Sequence, residues 1–209
     1  MGERQGKYLV IEGSDGVGKT TQTRLLLNNL NNKNINGEEL VEPGGTTLGR
    51  ELRILILDPD IEMQPETEFD LFTVGRRELT QQVIKPKMES GAVLVCDRNW
   101  FSSVAYQGFG RGLDTKMIIE QTKKAMGDYF MPDGIVILDV PLEITEERLA
   151  KGRSKIDWFE KQGREFFEKV KEGYSWLAEE FEVEVIDGSS TIEEVELKVY
   201  SSLGSIALS

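Results

Sequence analysis

Gly13-Ser-Asp-Gly-Val-Gly-Lys-Thr20 places its glycines, lysine and threonine at the G-x-x-x-x-G-K-[ST] spacing of a phosphate-binding loop. Glycines let the backbone curl so that successive N–H groups point at phosphate oxygens. A helix starting behind the loop adds the positive end of its dipole. Lys19 is then a point charge for the β- and γ-phosphates, and the Thr20 hydroxyl is placed to ligate Mg²⁺. The run Gly13, Ser14, Asp15, Gly16, Val17, Gly18, Lys19, Thr20 and Thr21 is the expected ATP site. The flanks suit it: Tyr8-Leu-Val-Ile-Glu12 precedes the loop as a strand, and Thr21-Gln-Thr-Arg-Leu-Leu-Leu27 follows as a helix. This motif speaks for nucleotide binding and is silent about what accepts the phosphoryl group.

The rest of the composition narrows the chemistry. Histidine is absent, which removes imidazole bases, His-based triads and zinc sites together. Cys96 is the only cysteine, so no intrachain disulfide forms, as expected of a cytoplasmic protein. A net charge of -12 argues against a nucleic-acid surface. No apolar run is long enough for a membrane span, and Met1-Gly-Glu-Arg-Gln-Gly6 has no secretory character. The chemistry must run on carboxylates, lysine, arginine, hydroxyls, amides and a hard metal.

Elements to hold such groups follow from the patterning. Tyr8–Ile11, Ala92–Cys96 and Gly134–Val140 are continuous apolar runs of strands buried on both faces; Glu38–Val41 and Val183–Ile186 are weaker candidates. Helical spacing covers about 18–31, 47–57, 66–89, 115–127, 142–150, 160–180 and 191–203. Alternation of the two predicts an α/β three-layer sandwich: a five-stranded parallel sheet with helices on both faces. No linker or repeat divides the chain, so residues 1–209 are expected as one domain. Ligands in such a sheet bind beyond the carboxyl ends of the strands.

Beyond the loop, ordered motifs from residue 7 to about residue 188 resemble the bacterial thymidylate kinase family. They are Lys7–Thr21; Glu42-Pro-Gly-Gly-Thr46 followed by Leu52-Arg53; and Leu71-Phe72-Thr-Val-Gly-Arg76-Arg77-Glu78-Leu79. Further on come Asp97-Arg98, then Ser102-Ser103-Val-Ala-Tyr106-Gln107-Gly-Phe-Gly-Arg111-Gly112, and Pro132-Asp133 before Leu138-Asp139-Val140. The resemblance implies a P-loop NTPase fold, transfer of phosphoryl from MgATP to dTMP, and a homodimer packed through helices, for which regions 66–89 and 101–107 are candidates. A same-fold kinase for another acceptor and a non-catalytic NTP-dependent switch are the competing readings.

Each matching residue has a chemical reading. Asp97 ends an apolar strand, where a carboxylate would help hold Mg²⁺; an N-cap is the alternative. Arg98 suits bidentate contact with a monoester phosphate, and Arg53 is a second candidate for it. Phe72 and Arg76 lie one helical turn apart, able to stack on a pyrimidine and donate to a ring carbonyl, although periodicity alone makes Phe72 core. Ser103 and Gln107, spaced alike, complete the hydrogen-bonding edge of the base; Ser102 belongs to the same segment. The resemblance places Tyr106 beside C2′ of the sugar, Asp15 on the acceptor's 3′-hydroxyl, and Glu42 near the acceptor phosphate and the metal's hydration shell.

Charge developing during transfer needs a cation, and none of Ser14, Asp15, Gly16 and Val17 is basic. The polar stretch Lys151-Gly-Arg-Ser-Lys155 lies where the family has its lid (about residues 149–160), so Arg153 is expected as the lid arginine, beside Lys19, Arg98 and Asp15 in the catalytic set. Two departures stand out. Asp157-Trp158-Phe159-Glu160 has an indole where the family pattern has arginine, and Val41 replaces a common arginine before Glu42.

Overall fold

The computed structural model describes residues 5–152 and 158–208. Five parallel strands form one sheet in the order β2-β3-β1-β4-β5: β1 (Lys7–Glu12), β2 (Gly37–Val41), β3 (Val93–Asp97), β4 (Gly134–Asp139) and β5 (Glu184–Asp187). The expected α/β sandwich with a five-stranded parallel sheet is thus present. The apolar runs are continuous because both faces are covered. Tyr8 and Val10 join one core with Leu94, Cys96, Trp100 and Phe101, while Leu9 and Ile11 join the other with Leu26, Leu30, Val95 and Val136.

Helices α1 (Lys19–Asn32), α2 (Thr47–Leu57) and α3 (Pro65–Leu79) fill the first half of the chain. α3 runs through a π-helical turn, Thr80–Ile84, into α4 (Lys85–Glu89), so the region expected as one helix over 66–89 carries an internal change of pitch. After β3, α5 (Trp100–Ser103) continues as a π-helical segment, Val104–Gly110. α6 (Thr115–Met126), α7 (Leu142–Gly152), α8 (Arg164–Glu180), α9 (Ile192–Val199) and the short α10 (Ser205–Ala207) complete the layers.

The 101–107 region does not offer an outer surface. Phe101, Val104 and Ala105 are fully buried, because α8 lies directly over them. Gly173 makes that approach possible: a Cβ there would sit 2.8 Å from the Ala105 Cα. The π-helical pitch has a use as well. It turns Ser103, Tyr106 and Gln107 together toward one cavity, in keeping with the frequent placement of π-bulges at functional sites.

Candidate active site

Register sets the floor of the site. Ile11 and Val41 both pair with Asp97, so the chain leaves β1, β2 and β3 at one level, with Glu12, Glu42 and Arg98 side by side. Gly13, Gly16 and Gly18 have φ of 136°, 80° and 105°, the left-handed region that the curl of the loop requires. α1 begins at once behind it, with Gly18 as N-cap.

Within the loop, Lys19 Nζ donates to the Ser14 carbonyl at 2.8 Å. Burial, joined by the charge of Arg98, lowers its ammonium pKa to about 8 against the pull of Asp97, Asp15 and Glu12. The Thr20 hydroxyl donates to Asp97 Oδ2 at 2.6 Å. α5 is capped by Asn99, whose Oδ1 accepts from the Phe101 N–H at 2.8 Å, so Asp97 is not the N-cap. A hydroxyl and a carboxylate in contact beside the phosphate loop are a hard-oxygen donor set that fits Mg²⁺. Among the described residues no group of three or more acidic or cysteine side chains forms a metal cage, so such an ion would take its other ligands from phosphate and water.

Arg98 sits at φ 76°, unusual for a residue with a side chain, and is held there by partners on every side. Its Nη1 donates to Gly13 O at 3.0 Å, Ser102 Oγ at 2.9 Å and the Tyr174 hydroxyl at 3.1 Å. Its Nη2 reaches Asp15 Oδ1 at 2.7 Å and the Tyr106 hydroxyl at 3.1 Å. The Tyr106 hydroxyl in turn donates to Asp15 Oδ2 at 2.8 Å. Burial pushes that phenol well above its ordinary pKa, so it stays a donor. Beneath the guanidinium, fully buried Glu12 accepts from Asn99 N, Ser102 N, Ser102 Oγ and the Tyr174 hydroxyl, at 2.6, 3.1, 2.8 and 2.8 Å. Both terminal nitrogens of Arg98 are therefore engaged, and a phosphate reaches them only by exchanging partners.

Arg76 and Glu42 form a second buried pair, Nε to Oε1 at 2.5 Å, and Arg76 Nη2 reaches Ser103 Oγ at 3.0 Å. Burial pushes the Glu42 carboxyl up against the pull of Arg76. Arg76 Nη1 and Glu42 Oε2 remain buried without a partner, which is costly unless something polar enters beside them.

Two cavities meet over these groups. One, of about 390 Å³, is lined by Phe72, Arg76, Ser102, Ser103, Tyr106 and Gln107, with Leu57 and Phe159 among the apolar wall. The other, of about 470 Å³, lies against Gly16, Gly18, Lys19, Thr20, Thr21 and Asp97. Asp15, Glu42, Arg53 and Arg98 line both. Gly13, Ser14 and Val17 support the loop from beneath; Val17 is buried in the core.

Sequence motifs missed several residues that shape the site. Glu12 directly precedes the loop and was legible only as a strand end. Tyr174, Glu68 and Arg148 come from distant helices. Arg148 of α7 donates to Gly16 O at 3.4 Å and Gly188 O at 3.1 Å, closing the loop from above. Phe159, read only as part of a lid, lies tilted to Phe72 at 6.4 Å and edge-on to Tyr106 at 5.4 Å between ring centroids. Arg153 and Lys155, expected in the lid, lie outside the described residues.

A family model described as Thymidylate kinase matches residues 11–199. The chain belongs to the thymidylate kinase family. Thymidylate kinase of Carboxydothermus hydrogenoformans is 37% identical over 194 residues, covering 91% of this chain and 93% of that protein. Thymidylate kinase of Fervidobacterium nodosum is 39% identical over 197 residues, covering 92% and 95%, and that of Nitrosomonas europaea 40% over 200 residues, covering 94% and 91%. Membership makes the chain an ATP-using kinase of nucleotide synthesis, consistent with a phosphate loop opening onto a second, aromatic-walled cavity. No described helix is long and apolar enough to cross a membrane. Trp158, expected in the lid segment, donates its indole N–H to Glu68 Oε2 at 3.1 Å.

Proposed function

We propose that this chain transfers the γ-phosphoryl group of MgATP to the 5′-phosphate of dTMP, giving dTDP. The observation that carries the reading is the shared wall between the two cavities. A polyphosphate on the loop and a monophosphate in the aromatic cavity would meet at Asp15, Arg53 and Arg98, the place where charge must be balanced during transfer.

On this reading the loop amides of residues 13–21 and Lys19 hold the ATP phosphates. Thr20 and Asp97 would hold Mg²⁺, which would supply positive charge at the transferring phosphates. In the acceptor cavity, Phe72 stacks on the base and the unpaired Nη1 of Arg76 donates to a ring carbonyl. Ser103 and Gln107 complete the base edge, and Ser102 steadies Arg98. Tyr106 walls off the 2′ position of the sugar, while Asp15, fixed by Arg98 and Tyr106, accepts from the 3′-hydroxyl. Arg53 and Arg98 face the acceptor phosphate, with Glu42 beside them. Direct in-line transfer then needs no protein base, only positioning and charge. Arg153, carried on a lid over about residues 149–160, supplies charge that the loop itself lacks.

The chain works as a single cytoplasmic domain paired with a second copy of itself. Ile54 and Leu55 on α2 and Val74 on α3 are exposed apolar side chains on neighbouring helices and suit such packing. Coupled assays across dTMP, dUMP, dCMP, dGMP and UMP test the acceptor. A clear preference for any but dTMP overturns the reading.

A further inference from the structure

Glu68, in the first turn of α3, is a carboxylate only 1% exposed, and it does not line the acceptor cavity. Its Oε1 accepts from Gln107 Nε2 at 2.9 Å and its Oε2 from the Trp158 indole N–H at 3.1 Å. Among the described residues the cation paired with it is Arg111, whose Nε stays 3.9 Å from Oε2, whose Nη2 is spent on Met63 O, and which lies over the Trp158 ring at 5.6 Å. A buried acidic group is thus held chiefly by two neutral donors, one from the base edge and one from the segment that leads to Phe159.

Both oxygens of Glu68 accept, Oε1 from Gln107 Nε2 and Oε2 from the donor-only indole of Trp158, so Gln107 turns its NH₂ toward Glu68. Its carbonyl oxygen is then the end left for the cavity that Gln107 lines. We propose that Glu68 is the positioning residue that fixes Gln107 carbonyl-inward, so that the cavity selects a pyrimidine with a protonated ring nitrogen. Thymine and uracil offer an N3–H to that oxygen and a 4-carbonyl to the Arg76 donor. Cytosine reverses both, with a bare N3 and a 4-amino group. The same carboxylate, through Trp158, ties this choice to the aromatic wall at Phe159. The inference rests on the proposed reading of Gln107 as a base-edge residue.

Kinetics of the full-length enzyme with dTMP, dUMP and dCMP test it. Glu68→Gln keeps the shape but can donate as well as accept, freeing the Gln107 amide to turn. The kcat/KM preference for dTMP over dCMP should fall about tenfold or more, the scale of one mismatched buried hydrogen bond. The preference for dTMP over dUMP should hold, because those bases share the N3–H; general loosening would move both ratios. Gln107→Leu serves as the control on the underlying reading. If it leaves the dTMP-to-dCMP ratio unchanged, Gln107 does not read the base and the inference falls with that reading. If Gln107→Leu collapses the ratio and Glu68→Gln does not, the role of Glu68 alone is overturned. Should Glu68→Gln not fold by circular dichroism, Glu68→Asp, which withdraws the carboxylate by one methylene, must lower the same ratio; an unchanged ratio there overturns the proposal.

Discussion

Asp15 and Arg98 stand 2.7 Å apart, Oδ1 to Nη2, joining the phosphate loop to the turn after β3. Burial alone would raise the Asp15 carboxyl, but Arg98, Lys19 and the Tyr106 hydroxyl hold it well below the usual carboxylate range. A depressed folded-state value contributes stability above the unfolded value of about 4, and that stability is lost as pH falls below it. Urea unfolding between pH 7 and pH 3 should show the parent losing stability faster than Asp15→Asn. Parallel curves for the two proteins would contradict the ion pair.

Lys19 titrates in the opposite sense. Its pKa of about 8 in the loop means a polyphosphate, which favours the ammonium, must draw in a proton when it binds at alkaline pH. ATP affinity should therefore weaken as pH rises through 8. Calorimetry at pH 8.5 in buffers of different ionisation enthalpy should report proton uptake, and Lys19→Ala should abolish both the uptake and phosphoryl transfer with the fold intact. A buffer-independent enthalpy for the parent refutes this.

The strands that carry Glu12 and Asp97, and the whole phosphate loop, were legible because their chemistry is local. Apolar runs mark strands buried on both faces, and glycine spacing marks the curl. Glu12, Tyr174 and Glu68 were not legible. Each acts through a partner 39 to 162 positions away, and no local pattern distinguishes a buried carboxylate from a solvated one. The helix over Val104–Gly110 was hidden for a related reason: Gly108 and Gly110 weaken any helical signal, and the segment packs at Ala105 against Gly173 of α8, a contact between distant positions that no local pattern marks.

Arg76 and Glu42 are buried together, so removing one strands the other. Arg76→Leu leaves the Glu42 carboxylate unpaired and should cost roughly 3–5 kcal/mol. For a chain this size that corresponds to a fall in Tm on the order of 10 °C. Glu42→Gln keeps an acceptor for Arg76 Nε and should cost less, but it still leaves the buried guanidinium without its counter-charge. Differential scanning calorimetry of the two variants decides it, and equal losses would mean the pair is not what holds this corner.

Tyr106 combines a wall with a hydrogen-bond relay. Tyr106→Phe removes its bonds to Asp15 and Arg98 but leaves the ring, so discrimination between dTMP and its ribo analogue should persist while kcat falls. Tyr106→Ala should relax that discrimination. Should both variants keep the parent's ratio, another residue sets sugar choice.

Three arginines around the phosphate loop already have partners. Arg98 holds Asp15, Arg148 holds the carbonyls of Gly16 and Gly188, and Arg53 donates to Pro43 O at 3.1 Å. Arg164 is paired with Glu143, Glu146 and Glu168 at the surface. On the proposed reading, charge appearing only in the transition state is met by Mg²⁺, Lys19 and the lid, and Arg153 is the arginine proposed there. Stabilisation confined to the transition state shows in turnover rather than affinity. Arg153→Ala should lower kcat about 10²-fold or more, with the KM for dTMP nearly unchanged. Arg153→Lys should recover part of the loss, because a point charge cannot bridge two oxygens as a planar fork does. Trp158→Arg should not raise kcat, since Glu68, now bonded to the indole, would capture the new guanidinium. An Arg153→Ala enzyme with the parent's kcat would overturn the assignment and move the role to Lys155 or Arg164.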